Sequence, residues 1–407
     1  MALDDPIRPP ALSLSRNGGR RPKLLFLVTE DWYFCSHRLP VARAARDDGF
    51  EVVVATRVRA HGEQIASEGF AVRALAWRRR GDGTVGAARA VAAIARLYRA
   101  ERPQILHHVA LKPVLFGGLA RALAFRGAAD SPATIDAVMG LGSGFSARGP
   151  GVRVSRPALQ LALRLAARRS NGHVVVQNPE DGAALAALGI DRRRIALIRG
   201  SGVDTRRFVA LPMPEGATVG VALVSRMLRD KGVLDAVAAI RLLRARGLPV
   251  ELVLAGPVDP DNSGSLSAAE LAALCAEPGV RWLGAVADVR EVWRSTTIAV
   301  LPSSYGEGVP KALLEAAACA RPIIAADVPG CREIVLVGNG ESGILVPPRD
   351  VGPLADAIAA LAADPARREA MGRRGRAWIE ARFADDIVAR QTLALYRAAL
   401  SERAAAR

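Results

Sequence analysis

Two glutamates stand in a short segment that contains glycine and proline, SSYGEGVPKALLE, at residues 303–315. They are Glu307 and Glu315. A helix that begins near Val309 would carry Glu315 about two turns in, while Glu307 stays on the loop before it. Pro310 fits such a helix start, because its missing N–H is not needed there. The segment therefore predicts one carboxylate on a loop and one on the helix that follows.

The backbone of the same segment is suited to an anion. Gly306 and Gly308 flank Glu307 and allow the chain to approach a ligand closely. Free N–H groups at the helix start attract a phosphate. Together with carboxylates that accept hydrogen bonds from sugar hydroxyls, they predict a site for a diphosphate joined to a sugar. A glycine–proline turn with solvated glutamates is the alternative.

A second cluster of charged residues lies in SRMLRDKG, residues 225–232, directly after the apolar run at 219–224. Arg226 and Lys231 then stand at a strand–helix junction, where both can bind diphosphate oxygens. Arg229 fits an ordinary cationic loop. The segment predicts the cations that a diphosphate would need.

Polar and aromatic residues also follow the first apolar run of the chain, at 30–38. Ser36, His37 and Arg38 are candidates for binding the diphosphate or sugar of an acceptor. The aromatic residues 32–34 either meet sugar faces or lipid, or pack within a loop.

Two histidines, His107 and His108, end the fourth apolar run. One of them is expected to orient an acceptor hydroxyl and the other to lie in the core. Lys112 begins the helix that follows, where a cation opposes the helix dipole. Its position there favours an anionic ligand.

Short apolar runs alternate with helical stretches along the chain, which predicts parallel sheets covered on both faces. The expected architecture is α/β, with two Rossmann-like doubly wound domains, a cleft between them and a helical C-terminal tail. Ligands of such sheets bind at the carboxyl ends of the strands. The predicted divisions are a disordered lead-in at 1–22, an acceptor domain at 23–210, a nucleotide-sugar domain at 211–380, and a final helix at 381–407 that packs on the first domain.

Charge is distributed unevenly. Residues 1–212 hold 33 Lys and Arg against 17 Asp and Glu, whereas residues 213–407 hold 23 of each kind. A basic half favours a polyanionic partner. Residues 77–80 and the helix predicted at 153–169 provide basic, partly apolar surface. That surface either lies on an anionic membrane or is an ordinary surface packed on the sheet.

The four cysteines form no CxxC pair, which disfavours a zinc site or a disulfide framework and fits a reducing cytosol. No apolar run reaches the ~18–20 residues of a membrane span. The chain is therefore expected in the cytoplasm, peripheral on the inner face of the cell membrane.

At this point the sequence resembles a known family. SRMLRDKG and EGVPKALLE, at this separation, are similar to family 4 glycosyltransferases, which have the GT-B fold, and the resemblance covers roughly residues 23–400. TEDWYFCSHRLPVARAARDDGFEVVVATRV and HHVALKPVLFGGLA narrow it to a bacterial subgroup that extends lipid-diphosphate-linked oligosaccharides. One member type of that subgroup is the N,N'-diacetylbacillosaminyl-diphospho-undecaprenol N-acetylgalactosaminyltransferase.

The resemblance implies a UDP- or GDP-sugar donor and retention of the anomeric configuration. Arg226 and Lys231 match the positions that bind the donor diphosphate, and Glu315 matches the carboxylate that binds the ribose hydroxyls. Glu307 matches the residue that contacts the transferred sugar. Backbone N–H groups nearby belong to Gly308 and Val309 in the same match. Glu307 and His107 are the residues expected to act in catalysis.

No metal or other cofactor is expected, because the family stabilises the leaving diphosphate with protein cations and helix N-termini. Asp259-Pro260-Asp261 has the letters of a metal-binding DxD triad, but it follows the Gly256-Pro257 turn and fits an acidic turn. No side chain is an obvious nucleophile. In the family, a donor phosphate oxygen takes the proton of the acceptor.

One departure from the family concerns the first domain. Several members carry a histidine after the fifth strand, whereas this chain has DAVMGLGSGF at 136–145, with Asp136 and no histidine. Gly140, Gly142 and Gly144 would let this loop approach a cleft. Position 145 is Phe, so the glycines do not complete a dinucleotide fingerprint.

The expected partners are a nucleoside-diphosphate sugar, a polyprenyl-diphosphate-linked acceptor and an anionic membrane surface. The sequence pI of about 10.9 also suggests nucleic-acid binding, but no zinc finger, RNA-binding aromatic motif or clear helix-turn-helix is present. A UDP-sugar 2-epimerase or a phosphorylase on the same fold stays open. A Rossmann oxidoreductase is disfavoured by the missing GxGxxG.

Overall fold

The computed structural model describes residues 21–77, 83–125, 127, 130–140, 172–306, 308–338 and 340–405. Several predictions concern residues outside these ranges. They are the lead-in up to residue 20, the arginines at 78–80, Gly142 and Gly144, the helix predicted at 153–169, and Glu307.

The chain forms two compact units. One comprises residues 1–201 with 385–407, and the other comprises residues 202–384. The second unit thus begins ahead of the boundary predicted at residue 211. The closing segment predicted at 381–407 belongs to the first unit from Asp385 onward.

The first unit contains a parallel sheet in the order β3-β2-β1-β4-β5-β6-β7. Its strands are β1 (Lys23–Glu30), β2 (Glu51–Arg57), β3 (Ala71–Ala74), β4 (Ile105–Val109), β5 (Ala133–Ala137), β6 (His173–Val176) and β7 (Ile195–Leu197). Its helices are α1 (Asp31–His37), α2 (Leu39–Asp47), α3 (Gly62–Ser67), α4 (Gly83–Glu101), α5 (Leu111–Ala124), α6 (Pro179–Ala187) and, from the end of the chain, α14 (Asp385–Ala405). A 3-10 turn at Arg192–Arg194 precedes β7.

The second unit contains a parallel sheet in the order β10-β9-β8-β11-β12-β13. Its strands are β8 (Val219–Val224), β9 (Val250–Ala255), β10 (Val280–Trp282), β11 (Ile298–Leu301), β12 (Ile323–Ala326) and β13 (Gly343–Val346). Its helices are α7 (Val233–Ala245), α8 (Ala268–Leu274), α9 (Val289–Ser295), α10 (Lys311–Ala318), α11 (Pro329–Arg332), α12 (Val351–Ala363) and α13 (Pro365–Arg382). A 3-10 turn at Arg229–Lys231 precedes α7.

Burial explains why these runs form central strands. All five residues of β4 and of β5 are buried, as are all four of β11 and of β12. A strand buried along its whole length lies inside a sheet that is covered on both faces, and its polar side chains need partners there, as His107, His108 and Asp136 have. The prediction of two Rossmann-like α/β domains is therefore confirmed.

The tail beyond residue 351 is helical, but it is divided into three helices. Asp364 ends the first and caps the next, since its carboxylate accepts a hydrogen bond from the Arg367 N–H at 2.9 Å. The second break follows Phe383, whose carbonyl accepts a bond from Val203. The prediction of a helical C-terminal tail is confirmed, and the tail is divided at these two points.

The last helix, α14, completes the core of the first unit. Val388, Leu395, Tyr396 and Ala399 lie in one buried cluster with Phe26 of β1. The helix packs beside α2 and against β5. The first unit is therefore assembled from both ends of the chain.

Candidate functional site

The order of strands in the second unit reverses between β8 and β11. Strands β9 and β10 follow β8 on one side, and β12 and β13 follow β11 on the other. In doubly wound sheets a crevice opens at such a switch point, outside the carboxyl ends of the two strands. The segment that follows β8 begins at Ser225, and the segment that follows β11 begins at Pro302. Both segments predicted to bind a diphosphate therefore start at this point.

These two segments are in contact. The Ser304 N–H donates a hydrogen bond to the Asp230 carbonyl at 2.8 Å. The Lys231 ammonium lies 5.3 Å from the centre of the Tyr305 ring. Residues that are more than 70 positions apart in sequence thus form one surface, and Lys231 is part of it.

Gly232 makes this approach possible. Its φ is +75°, and a Cβ at this position would lie 2.2 Å from the Pro302 carbonyl oxygen. Glycine alone combines that backbone conformation with so close a neighbour. It also precedes α7, which leads away from the surface.

Arg226, the other predicted diphosphate ligand, is ion-paired with Asp259. The Arg226 side chain is about one third exposed, whereas Asp259 is buried. The loop that carries Asp259 is joined to the strand-end segment by backbone bonds from Arg229 to Gly264 and from Leu266 to Met227, at 2.9 and 2.8 Å. Asp259 therefore has a specific partner in the site, which the interpretation of residues 259–261 as an acidic turn missed.

The remaining predicted donor residues lie on the segment after β11 and on α10. Gly306 and Gly308 are half-buried, and the Val309 side chain belongs to the hydrophobic core, which leaves its backbone as the group able to serve a ligand. The helix α10 begins at Lys311 with Pro310 as its N-cap, and it carries Glu315 in its second turn, half-buried. Glu307 lies outside the described residues.

The first unit has its own switch point, between β1 and β4. Two of the predicted acceptor residues, Ser36 and His37, lie on α1, a helix where the sequence suggested a loop, and Arg38 directly follows that helix. The Ser36 hydroxyl lies 2.5 Å from Nδ1 of His37, and the His37 ring stacks on Tyr33 at 4.1 Å. Phe34 is fully buried against Phe26, so its proposed contact with sugar or lipid is corrected to a core role.

Arg38 and His107 lie deep in the first unit. Arg38 is 4% exposed, its Nη2 donates to the Met139 sulfur at 2.7 Å, and its Nε has no hydrogen-bond partner in the structure. Nδ1 of His107 lies 2.6 Å from the Tyr396 hydroxyl, and the imidazole stacks on Phe26 at 4.9 Å. Burial, together with the positive charge of Arg38, holds the pKa of His107 well below its usual range. In this conformation His107 is neutral and supports α14, and its predicted contact with substrate lacks support from the geometry.

His108 belongs to a separate buried network. Its Nδ1 lies 2.6 Å from an Asp136 carboxylate oxygen, and its Nε2 lies 3.0 Å from the Tyr98 hydroxyl. Burial, with the nearby Asp136 charge, raises the pKa of Tyr98 well above its usual value. Asp136 lies on β5 and is occupied by this histidine.

The junction between β4 and α5 is strained. Ala110 has φ +76° and ψ 166°, a region that glycine normally occupies. Lys112, two residues later, places its ammonium 5.0 Å from the Phe116 ring and 5.6 Å from the Trp77 ring. These aromatic rings stabilise the cation at the helix start. No sequence signal pointed to the strain at Ala110.

Across the described ranges, no cluster of three or more His, Cys, Asp or Glu side chains is arranged to hold a metal. Every helix in the same ranges is too short or too polar to cross a lipid bilayer.

Comparison with known proteins identifies two family domains. Residues 23–169 match the glycosyl transferase 4-like family, and residues 218–364 match the glycosyl transferases group 1 family. The capsular polysaccharide biosynthesis glycosyltransferase CapM of Staphylococcus aureus is 27% identical over 182 residues, which are 45% of this chain and 47% of CapM. An alpha-maltose-1-phosphate synthase of Mycolicibacterium smegmatis is 32% identical over 51% of this chain and 58% of that protein. The chain thus spans about half the length of these relatives.

Solved structures extend the likeness over the whole fold. Sucrose-phosphate synthase from Thermosynechococcus elongatus superposes with a TM-score of 0.78 at 20% identity, over 94% of this chain and all of that one. HepE of Anabaena, solved with UDP and glucose, superposes with a TM-score of 0.72 at 18% identity, over 91% of this chain and 98% of HepE. At these identities the likeness is one of fold. With a family domain matched in each of its two Rossmann-like units, this chain belongs to the group 1, family 4-like glycosyltransferases of the GT-B fold.

Proposed function

We propose that this chain is a retaining glycosyltransferase that moves a hexose or an N-acetylhexosamine from a UDP- or GDP-sugar to a lipid-diphosphate-linked saccharide. The observation that carries the proposal is the contact between residues 225–232 and 302–306 at the switch point of the second unit. It brings Lys231, five residues after Arg226 in sequence, next to the glycine segment before α10. That arrangement suits a diphosphate whose sugar points toward the loop before α10.

The chemistry of the leaving group fits these residues. When the bond to the sugar breaks, negative charge develops on the nucleoside diphosphate, and fixed cations lower the energy of that state. Arg226 and Lys231 are the cations proposed for this role. Because they neutralise the diphosphate, we propose that the reaction needs no metal ion.

The roles of the remaining donor residues rest on the resemblance to the family. Glu315 would bind the ribose hydroxyls, and Gly308 with Val309 would offer N–H groups to the phosphates. Glu307 would contact the transferred sugar. In the same proposal a donor phosphate oxygen takes the acceptor proton, and the anomeric configuration is retained.

The acceptor and its location are the finer part of the proposal. CapM is named for capsular polysaccharide biosynthesis, which supports a role in building a cell-surface polymer. The basic first half of the chain suits an acceptor that carries a diphosphate and sits on an anionic membrane. We place that acceptor near Ser36, His37, Arg38 and Lys112, and the enzyme on the inner face of the membrane. The proposed acceptor is of the kind used by the bacillosaminyl-type N-acetylgalactosaminyltransferase, the member type to which the chain is similar.

The experiment is a screen of UDP- and GDP-sugars for thermal stabilisation, followed by transfer assays with the sugars that bind. A polyprenyl-diphosphate-linked saccharide and a soluble sugar phosphate are compared as acceptors. Transfer to the polyprenyl-diphosphate-linked saccharide supports the proposal in full. Transfer to the soluble sugar phosphate alone would support a glycosyltransferase but contradict the lipid-linked acceptor. Isomerisation or hydrolysis of the donor without an acceptor would favour a 2-epimerase instead.

Replacing Lys231 tests the diphosphate site directly. Lys231→Ala should weaken UDP or GDP binding by roughly 10–150-fold, because the loss of a charge-assisted hydrogen bond costs ~1.5–3 kcal/mol. Isothermal titration calorimetry measures the change. Arg229→Ala is the matched control, since Arg229 lies in the same turn as Lys231 but is exposed and paired with Glu270 of α8. Equal affinities for the Lys231 variant and the wild type would remove this lysine from the site.

A further inference from the structure

The helices α4 and α5 of the first unit lie side by side and expose large apolar side chains. Val85 on α4 is 62% exposed, and Leu119 and Leu123 on α5 are 57% and 55% exposed. Leu119 and Leu123 are four residues apart, so they occupy the same face of their helix. Exposed apolar side chains that lie close together, as Leu119 and Leu123 do, mark a contact with a partner or a membrane.

Arginines border this apolar surface. Arg89, Arg96 and Arg99 are exposed on α4. Their spacing of seven and three residues places them on one side of the helix, in line with Val85. The one acidic residue in either helix is Glu101, whose side chain is 9% exposed and ion-paired with Lys23 and Arg73. The surface is therefore basic and apolar, with its single carboxylate neutralised.

A basic cavity lies at the end of α4, next to the leucines. Its volume is about 570 Å³, and Arg99, Arg102 and Arg403 line it together with one acidic residue, Asp130. The Arg99 guanidinium also donates a hydrogen bond to the Leu123 carbonyl at 2.5 Å. The cavity therefore adjoins the exposed leucines of α5. A phosphate group would find three arginines at this place.

We propose that the α4–α5 surface, formed by Val85, Arg89, Arg96, Arg99, Leu119 and Leu123, docks the chain on an anionic phospholipid bilayer. The leucines enter the boundary between headgroups and acyl chains, and the arginines bind lipid phosphates. The docking surface rests on the proposed function only in that it serves a lipid-linked acceptor. Of the basic surface expected at residues 77–80 and 153–169, Trp77 is buried, and residues 78–80 and 153–169 lie outside the described residues.

A second copy of the chain is a poorer occupant. Symmetric pairing through this surface would set the three arginines of one copy against the same three of the other, and like charges at an interface oppose association. A bilayer that contains anionic lipid supplies the opposite charge. The start of α5 also carries Lys112, and α5 spans about 21 Å at 1.5 Å per residue, so a membrane along this helix lies within reach of the predicted acceptor residues.

The test is flotation of the full chain with phosphatidylcholine vesicles, with and without one quarter phosphatidylglycerol. The wild type should bind the anionic vesicles and lose that binding as salt rises. A triple variant, Arg89→Gln, Arg96→Gln and Arg99→Gln, should lower the partition coefficient by roughly fivefold per arginine. A double variant, Leu119→Gln and Leu123→Gln, should lower it by roughly tenfold per leucine.

Matched controls separate this surface from the overall charge of the chain. Arg241→Gln with Arg281→Gln and Arg373→Gln removes the same charge from exposed sites of the second unit. Val209→Gln with Val337→Gln removes two exposed apolar side chains there. Both controls should bind as the wild type does. An equal loss in the control and the surface variants, or no loss in either, would overturn the proposal, as would a dimer in solution that the leucine variant abolishes.

A separate measurement of donor binding distinguishes failure of the docking surface from failure of the proposed function. Calorimetry with UDP or GDP in the absence of vesicles should give the same affinity for the surface variants and the wild type. If the donor binds and vesicle binding is unaffected by the variants, the docking surface is wrong and the transferase stands. If no nucleotide sugar binds or reacts, the proposed function is wrong, and the vesicle experiment still tests the docking surface.

Discussion

At the scale of single residues, Arg226 is held by a buried carboxylate. Its ion pair with Asp259 fixes the guanidinium and at the same time places a negative charge beside the proposed diphosphate. A phosphate must compete with Asp259 for the same N–H groups. The affinity for the nucleotide is therefore set by both residues.

Removing the charge of Asp259 should strengthen nucleotide binding. Asp259→Asn keeps the shape of the side chain but frees the guanidinium and removes a like charge, which should raise UDP affinity by about 5–30-fold, or 1–2 kcal/mol. Calorimetry measures the change. Asp261→Asn, which alters the charge at an exposed position two residues away, should have little effect. Weaker binding in Asp259→Asn would mean that the carboxylate orients the arginine rather than opposing the phosphate.

His107 predicts a dependence of stability on pH. Burial, then the charge of Arg38, holds its pKa in the folded state well below the ordinary value of about 6.5. Between these two pKa values the unfolded chain binds a proton that the folded chain does not, so acidification favours unfolding. The stability that His107 contributes is thus present above pH 6.5 and is lost as the pH falls below it, by up to about 1.4 kcal/mol per pH unit.

The measurement compares the melting temperatures of the wild type and His107→Gln at pH 7.5, 6.5 and 5.5. The variant should be less stable at pH 7.5, because the Tyr396 hydroxyl loses its partner, and the difference should shrink as the pH falls. His173, whose pKa burial also lowers, is present in both proteins and cancels in the comparison. A constant difference across the three pH values would contradict a neutral, buried His107.

At the scale of elements, the alternation of short apolar runs with helical stretches predicted the parallel sheets of both units. Central parallel strands are mostly apolar, the two histidines of β4 being exceptions, and such runs are easy to recognise when helical stretches separate them. Helix α1 was missed because its cluster of aromatic residues resembled a loop. Asp31, the first residue of α1, is stabilised by contacts that are distant in sequence, because its carboxylate accepts hydrogen bonds from the N–H groups of Arg59 and His61.

The site was less predictable than the strands. Local spacing placed Arg226 and Lys231 at a strand end, but the partner of Arg226 lies 33 residues away on another loop. The bond between His107 and Tyr396 joins positions 289 residues apart. Contacts of this kind arise from topology and have no local pattern, which is why the sequence left His107 among the catalytic candidates.

Gly232 connects element geometry to binding. Gly232→Ala would place a methyl group on the Pro302 carbonyl and strain a backbone with φ +75°. It should separate the two loops and weaken UDP binding at least as much as Lys231→Ala does. Gly247→Ala is the matched control, because Gly247 has φ +80° and nothing within 4 Å of a Cβ. The control shares the conformational cost of roughly 1–2 kcal/mol but not the overlap.

The comparison of these two glycine variants separates local strain from loop packing. Both should lower the melting temperature, and only Gly232→Ala should also lower the affinity for UDP. If the two variants bind UDP equally well, the close approach of the loops is not needed for the donor site.

At the scale of the whole molecule, the chain leaves its first unit after Ser201 and returns to it at Asp385. The returning helix α14 contributes Leu395 and Tyr396, both fully buried, to the core around β1 and β4. The second unit is continuous in sequence, whereas the first depends on a segment that follows the second unit along the chain. The two units should therefore respond differently to removal of the C-terminus.

A chain that ends after Ala384 tests this dependence. Loss of α14 exposes the apolar core of the first unit, and a single buried Leu or aromatic side chain removed from a core already costs ~2–5 kcal/mol. Hydrogen exchange should then show loss of protection in β1, β4 and β5, with protection of β8 and β11 retained. A chain that ends after Ser401 keeps Val388 through Ala399 and should exchange like the full chain. Unchanged protection of β1 and β4 after removal of α14 would show that the first unit folds without its returning helix.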